Sequence, residues 1–452
     1  MDAVARLAAH VAHVRYDDLP PAAVAAAKTF VLDTLGVAVA GSGEPWAARL
    51  AATSAAWGAG DEARVWGTGV RRPAMSAALV NAYQVHAMEF DCVHEGAVVH
   101  PMATLLSAVL AASERDGGVD GKRFLAAVAA GIDVACSIGA AARSAMRFFR
   151  PANAGAFGAV AALANLWHFD AEAALNALGI VYGHVSGTLQ PHAEGSMQVG
   201  VQMGFNARGA LTAADLAASG FAGPRDVLEG RYGYFRLFEA DTYDVDAALA
   251  GLGRTWRVGE LSHKPFPSGR LTHGVVDAIA QLVEAHGVQA RHVARVRAHV
   301  PPLVARLVGR PDVPVPGASY ARLCLPFVAA VALCRGTVDV PDFRDDRLLA
   351  SEVHDAARRI EIVPDGSADE NAIVPQTVEV TLHDGRRHVV EVHRMLGHPE
   401  RPLSREQHLE KFRRCLRHGA RPVAAESAEA LIALVDRLED VSDLRELIDP
   451  LG

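Results

Sequence analysis

The feature that most constrains this chain is a change of hydrophobic period near Pro265. Before it, Ala- and Leu-rich segments such as AAVAAAKTFVLDTLGVAVAG, FLAAVAAGIDVACSIGAAARSAM, GAVAALANLWH and GALTAADLAASG place apolar residues at i, i+3 and i+4. After it, ARVRAHVP (294–301), RIEIVP (359–364) and TVEVTLHDGRRHVVEVH (377–393) alternate apolar and polar residues, with Asp384-Gly385 as a hairpin signal. Helices are expected between these runs, at about 272–287, 318–335 and 346–358. PLSREQHLEKFRRCL then restores the helical period, with Ser404 and Gln407 in capping-box spacing. The reading is a mainly α protein: a large all-helical domain over 1–262, completed by 403–452, and a smaller α+β domain over 263–402.

Composition narrows the function classes. A net charge of −8 on 452 residues, with scattered basic groups, gives no footprint for nucleic acid or an anionic membrane. No GxGxxG or P-loop pattern supports a nucleotide, and no GxSxG elbow supports hydrolysis by serine. Five cysteines without CxxC spacing suit a reducing compartment, and a cytoplasmic location is expected. The N-terminal twenty residues read as an amphipathic helix, and the apolar 124–142 window, which carries Asp133, as a buried core helix and not a membrane span.

Three polar constellations interrupt this pattern. In NAYQVHAMEFDCVHEGAVVHP (81–101), His86, Glu89, Asp91, His94, Glu95 and His100 crowd a helix end, expected near Cys92, and the loop that follows. An imidazole there can move a proton near neutral pH, and a buried carboxylate can orient it. His86, Asp91, His94 and His100 could also serve a metal-dependent hydrolase or oxygenase, although their spacing matches no established ligand signature. HVSGTLQPHAEGSMQ (184–198) offers Gln190, His192, Glu194, Ser196 and Gln198 as the lining of a polar pocket, or an ordinary interhelical loop. SHKPFPSGRLTH (262–273) sets Lys264 and Arg270 around a turn that cannot be helical, at the change of architecture. Lys264 is one of only four lysines beside forty arginines, which slightly favours a position needing a compact ammonium. Paired cations at a domain junction suit a carboxylate substrate; the bland alternative is a linker with solvated charges.

On these segments, together with VLDTLGVAVAGSGEP (31–45), EGSMQVGVQMGFNARGALTAADLAASGFAGPRDVLEGRYGYF (194–235) and HKPFPSGRLTHGVVDAI (263–279), the chain resembles the MmgE/PrpD family. That family includes 2-methylcitrate dehydratase, cis-aconitate decarboxylase and iminodisuccinate epimerase. The resemblance implies a homodimer, a cofactor-free site between two domains and a small-molecule carboxylate substrate; from the residue spacing no metal is expected. It places Asp91 on the family's acidic position, His100 on its His-Pro histidine and Lys264 on its Lys-Pro-aromatic-Pro lysine. The expected roles are general acid/base for His100, orienting or proton-sharing partner for Asp91, and carboxylate-binding or charge-stabilising cation for Lys264. Arg150, Arg270, His94, Gln190, His192 and Ser196 are expected to bind substrate.

The chain also departs from the family pattern. Arg150 and Gly269 stand where the decarboxylase type has histidines, Val199 where many members have lysine, and Asp91-Cys92 where two acids are common. These departures argue against aconitate decarboxylation; the reaction expected from the resemblance is dehydration of a small 2-hydroxy di- or tricarboxylate, the family's commonest described activity, with epimerisation of an iminodisuccinate-like dicarboxylate, which needs fewer of the missing groups, as the alternative. A non-catalytic carboxylate-binding protein, suggested by Val199 and Gly269, is a further one.

Overall fold

A computed structural model describes residues 2–369 and 371–451. Two large apolar cores organise it, with a small cluster of Val37, Ala40, Met88, Phe90, Val340 and Cys415 beside them. The larger joins residues between Ala3 and Leu261 to a C-terminal set from Leu409 to Leu451. The smaller runs from Val275 to Met395 and takes in Met146 from the helical part.

Small side chains let the central helices approach closely. Gly121–Ala141 and Arg150–Leu166 meet at Gly131 and Gly158, where a Cβ on either glycine would come within 2.7 Å of the other's carbonyl oxygen. The apolar Gly121–Ala141 helix is buried in this core, as its sequence suggested. Its Asp133 is satisfied there by the Arg257 backbone N–H at 2.9 Å and sits 3.1 Å from His10 Nε2. The C-terminal helix Arg405–Arg417, capped by the Ser404/Gln407 box, lies on Pro21–Ser42 with Phe412 against Gly36.

The smaller core is backed by a four-stranded sheet in the order Ile360–Pro364, Val293–Val300, Gln376–Leu382, Arg387–Val392. The first two strands are parallel and the rest antiparallel. A parallel pair needs a crossover, and helices between 302 and 357 supply it. The Asp384-Gly385 hairpin forms, with Gly385 at φ 88°.

Three local expectations need correction. The first part of the chain is not wholly helical: Ala63–Val65 pairs with Val70–Arg72 around a turn where Gly67 and Gly69 both adopt positive φ. The 318–335 helix is split into Ala318–Arg322 and Leu325–Arg335, because Pro326 cannot donate into a continuous helix and the Arg322 carbonyl is taken by the Gly269 N–H at 3.0 Å. The helix before the first polar constellation stops at His86 rather than near Cys92, since Glu89 turns into the left-handed region at φ 52°.

Candidate functional site

The 87–100 segment leaves the end of Ala74–His86, pairs Val93 with Ser262 and re-enters a helix at Pro101. Pro101 fixes the start of that helix and leaves His100 in an extended, non-helical conformation at its N-cap. The Val93–Ser262 bridge brings the Lys264 segment alongside, so two stretches about 170 residues apart form one buried cluster.

Asp91 is its centre and is inaccessible to solvent. Oδ2 of Asp91 lies 3.0 Å from His86 Nδ1 and 3.2 Å from His100 Nδ1. His86 Nε2 lies 3.2 Å from Glu89 Oε1. Lys264 Nζ donates to the other Glu89 oxygen at 2.9 Å and to the Glu89 backbone carbonyl at 3.1 Å, and stands 3.9 Å from Asp91. The His86 and His100 rings meet edge to face at 4.9 Å.

This geometry sets the two imidazoles in different charge states. Burial opposes charge on His86, but Asp91 and Glu89 on either side outweigh it and raise its pKa to about 10. His100 is lowered: burial comes first, and the positive charges of Lys264 and His86 add to it against the pull of Asp91. Asp91 and Glu89 are buried yet held well below the carboxylate range by their cationic neighbours, His86 foremost for Asp91 and Lys264 for Glu89. At neutral pH the cluster therefore holds an imidazolium at 86 and a neutral imidazole at 100. With Nδ1–H donating to Asp91, His100 keeps an unprotonated Nε2, which has no protein hydrogen-bond partner among the described residues.

His86, Glu89 and His100 line a cavity of about 70 Å³ between the two cores. Arg270, Glu95 and His192 line it too, as do Phe149, Met146, Gly269 and Leu323. Arg270 is engaged: Nε donates to Glu95 at 2.8 Å, and Nη1 donates to the carbonyls of Leu396 at 2.8 Å and His263 at 3.1 Å. His192 is held by Arg310, whose Nη2 donates to its carbonyl at 2.7 Å, and burial beside Arg310 lowers its pKa to about 4.

Of the residues singled out from the sequence, Asp91, His100 and Lys264 come together, and Arg270 and His192 border the same cavity. Lys264 sits behind Glu89 and not on the cavity surface. The other four are placed elsewhere. Arg150 makes a buried two-pronged pair with Glu239, at 2.9 and 2.8 Å, and does not line the cavity. His94 lies 2.8 Å from Glu260. The Gln190 side chain is exposed and bonded to Glu194. Ser196 Oγ accepts the Gln198 N–H at 3.2 Å, at the start of the helix that buries Val199.

His86 and Glu89 were visible in the polar cluster but not chosen; their signal was position, at and just beyond a helix end. Arg310 and the apolar lining carried no local signal, because they become neighbours only through the fold. A metal could draw one ligand atom each from His86, Asp91 and His100, which lie within 4.8 Å of one another, but His94 is not in that group. Such an ion would have to displace the hydrogen bonds of Asp91 beside the ammonium of Lys264.

Comparison with known proteins places this geometry in a family. The MmgE/PrpD N-terminal domain matches residues 5–245 and the MmgE/PrpD C-terminal domain matches 266–439. Cis-aconitate decarboxylase of Mus musculus is 27% identical, covering 92% of this chain and 86% of its own. The protein of that name from Homo sapiens is 28% identical over 92% and 87%. The Aspergillus terreus protein of that name is 28% identical over 96% and 93%. Matched by both domains of the family in order and over most of its length, the chain belongs to the MmgE/PrpD family.

Proposed function

We propose that this chain is a lyase that dehydrates a small 2-hydroxy di- or tricarboxylate, with His100 Nε2 as the base. The similarity to proteins named cis-aconitate decarboxylase supports lyase chemistry beside a carboxylate. The observation that supports proton abstraction, the step with which dehydration begins, is the placement of His100: it lines the cavity with Nδ1 3.2 Å from Asp91 Oδ2, and burial lowers its pKa. Proton abstraction needs a neutral base at the start.

In the proposed reaction Nε2 takes the proton on the carbon next to a carboxylate. The C–H electrons form the new C=C as the bond to the β-hydroxyl breaks, and the proton on Nε2 goes to the departing oxygen as water. His100 returns to its starting state. Asp91 fixes the tautomer and steadies the imidazolium formed on the way. The fixed charges of Lys264 and Arg270 lie close behind Glu89 and Glu95, where they temper the field of those carboxylates against the developing enolate.

The test is to incubate the protein with a hydroxy-carboxylate panel in deuterium oxide. Rising ultraviolet absorbance from a conjugated C=C, without carbon dioxide release, is the expected result. Carbon dioxide from an unsaturated acid would replace dehydration by decarboxylation, and deuterium wash-in without an alkene would point to epimerisation.

A further inference from the structure

The lining of the cavity is of two kinds. His86, His100, His192, Glu89, Glu95 and Arg270 are its polar residues. Its apolar residues include Met146, Leu271, Leu307, Val308, Leu323 and Ile373, contributed mainly by the smaller core. Gly269 adds nothing polar to this wall: a Cβ there would already stand 2.9 Å from Leu323 Cδ2 and 3.6 Å from Val308 Cγ1.

The charges of the polar lining are already balanced. Lys264 is paired with Glu89, Arg270 with Glu95, and the His86 imidazolium with Asp91. Among the described residues lining the cavity, Arg270 is the only cation besides histidine. Nearby, Arg310 has buried Nε and Nη1 groups without a protein acceptor, while its Nη2 holds His192. Such a site has unspent donors for limited negative charge. A third carboxylate set on the Val308-side aliphatic lining would meet carbon there, where desolvation is not repaid, and the free donors of Arg310 are not among the groups that line the cavity.

We propose that the substrate carries an alkyl group where a tricarboxylate would carry its additional carboxylate, and that this group packs on the Leu307–Val308–Leu323–Ile373 wall. This deepens the lyase reading, since it assumes the same cavity is the active site. It replaces the tricarboxylate branch of that reading with an alkyl-substituted hydroxy carboxylate.

The experiment uses two unreactive acids of matched shape: isobutylsuccinate and tricarballylate, which differ by an isopropyl group against a carboxylate on the same carbon frame. Calorimetric titration of the wild-type protein should give isobutylsuccinate at least roughly tenfold tighter binding. Equal or tighter binding of tricarballylate, or binding of neither, overturns the proposal. Val308→Ala, a mild substitution, should move the preferred alkyl chain about one carbon longer, and an unchanged preference across a chain-length series also overturns it. Deuterium exchange on hydroxylated counterparts is read separately. Its absence, with tight isobutylsuccinate binding, would sink the lyase reading while leaving the ligand class standing.

Discussion

Asp91 and His100 meet through Oδ2 and Nδ1 at 3.2 Å in a site where both are buried, and the same carboxylate oxygen reaches His86 at 3.0 Å. One anion thus orients one imidazole and pairs with the other. The two differ in their other neighbours: Glu89 stands 3.2 Å from His86 Nε2, while His100 has burial and the positive charges of Lys264 and His86 against it.

His100→Gln should keep the fold and lower kcat by about 10²- to 10⁴-fold, the usual contribution of a positioned base. A stopped-flow absorbance assay on the best substrate of the panel checks this, with circular dichroism as the control for folding. Full activity in the variant would remove His100 from the reaction.

The pH profile should have two limbs with different owners. Protonation of His100 removes the base, and because its pKa is lowered, kcat/KM should fall on the acid side only below about 6.5. His86 loses its proton near 10, leaving Asp91 and Glu89 short of one balancing charge, so the alkaline limb should lie there. His86→Asn should abolish the alkaline limb and move the acid limb upward, because the positive charge that helps to lower His100 is gone.

Folding stability should decline with acid for a separate reason. His263 is pushed down to about 3 and His192 to about 4, in each case first by burial and then by neighbouring positive charge. Below the ordinary histidine value the unfolded chain binds these protons and the folded one does not, so the stabilisation is complete above about pH 6.5. It is lost as pH falls through the window from there to 3. Urea midpoints measured from pH 7 to pH 4 should fall, and His263→Asn should flatten that fall. His86 acts oppositely: its contribution is present below about 6.5 and lost as pH rises through 10.

Arg150→Met should cost stability without altering substrate affinity. Its guanidinium holds Glu239, whose other partners are Ser144 and Tyr234, so truncation strands a buried carboxylate at a cost of about 3–5 kcal/mol. The double variant Arg150→Met/Glu239→Leu should recover much of that loss. Chemical denaturation reads the first effect, and an unchanged KM in the folded enzyme separates it from a substrate-binding role.

Much of the architecture was legible because it depends on local repetition. Period 3.6 and period 2 mark helix and strand within ten residues, and the Ser404 cap and the Asp384-Gly385 turn act over four. Where a local break depended on a distant partner, the reading failed: the split near Leu323 is held by Gly269, and the helix end at His86 by a turn whose carbonyl Lys264 secures.

By itself the sequence determined which residues could exchange protons and that His100, placed before Pro101, could not lie within a helix. Only the tertiary structure decided their charge. Whether a lysine or arginine is free for substrate depends on which carboxylate folding puts beside it, and here Glu89, Glu95 and Glu239 take up Lys264, Arg270 and Arg150. Coulomb interaction and desolvation act through space with no memory of sequence separation, so the balance of the cavity was settled by the packing of the two cores against each other.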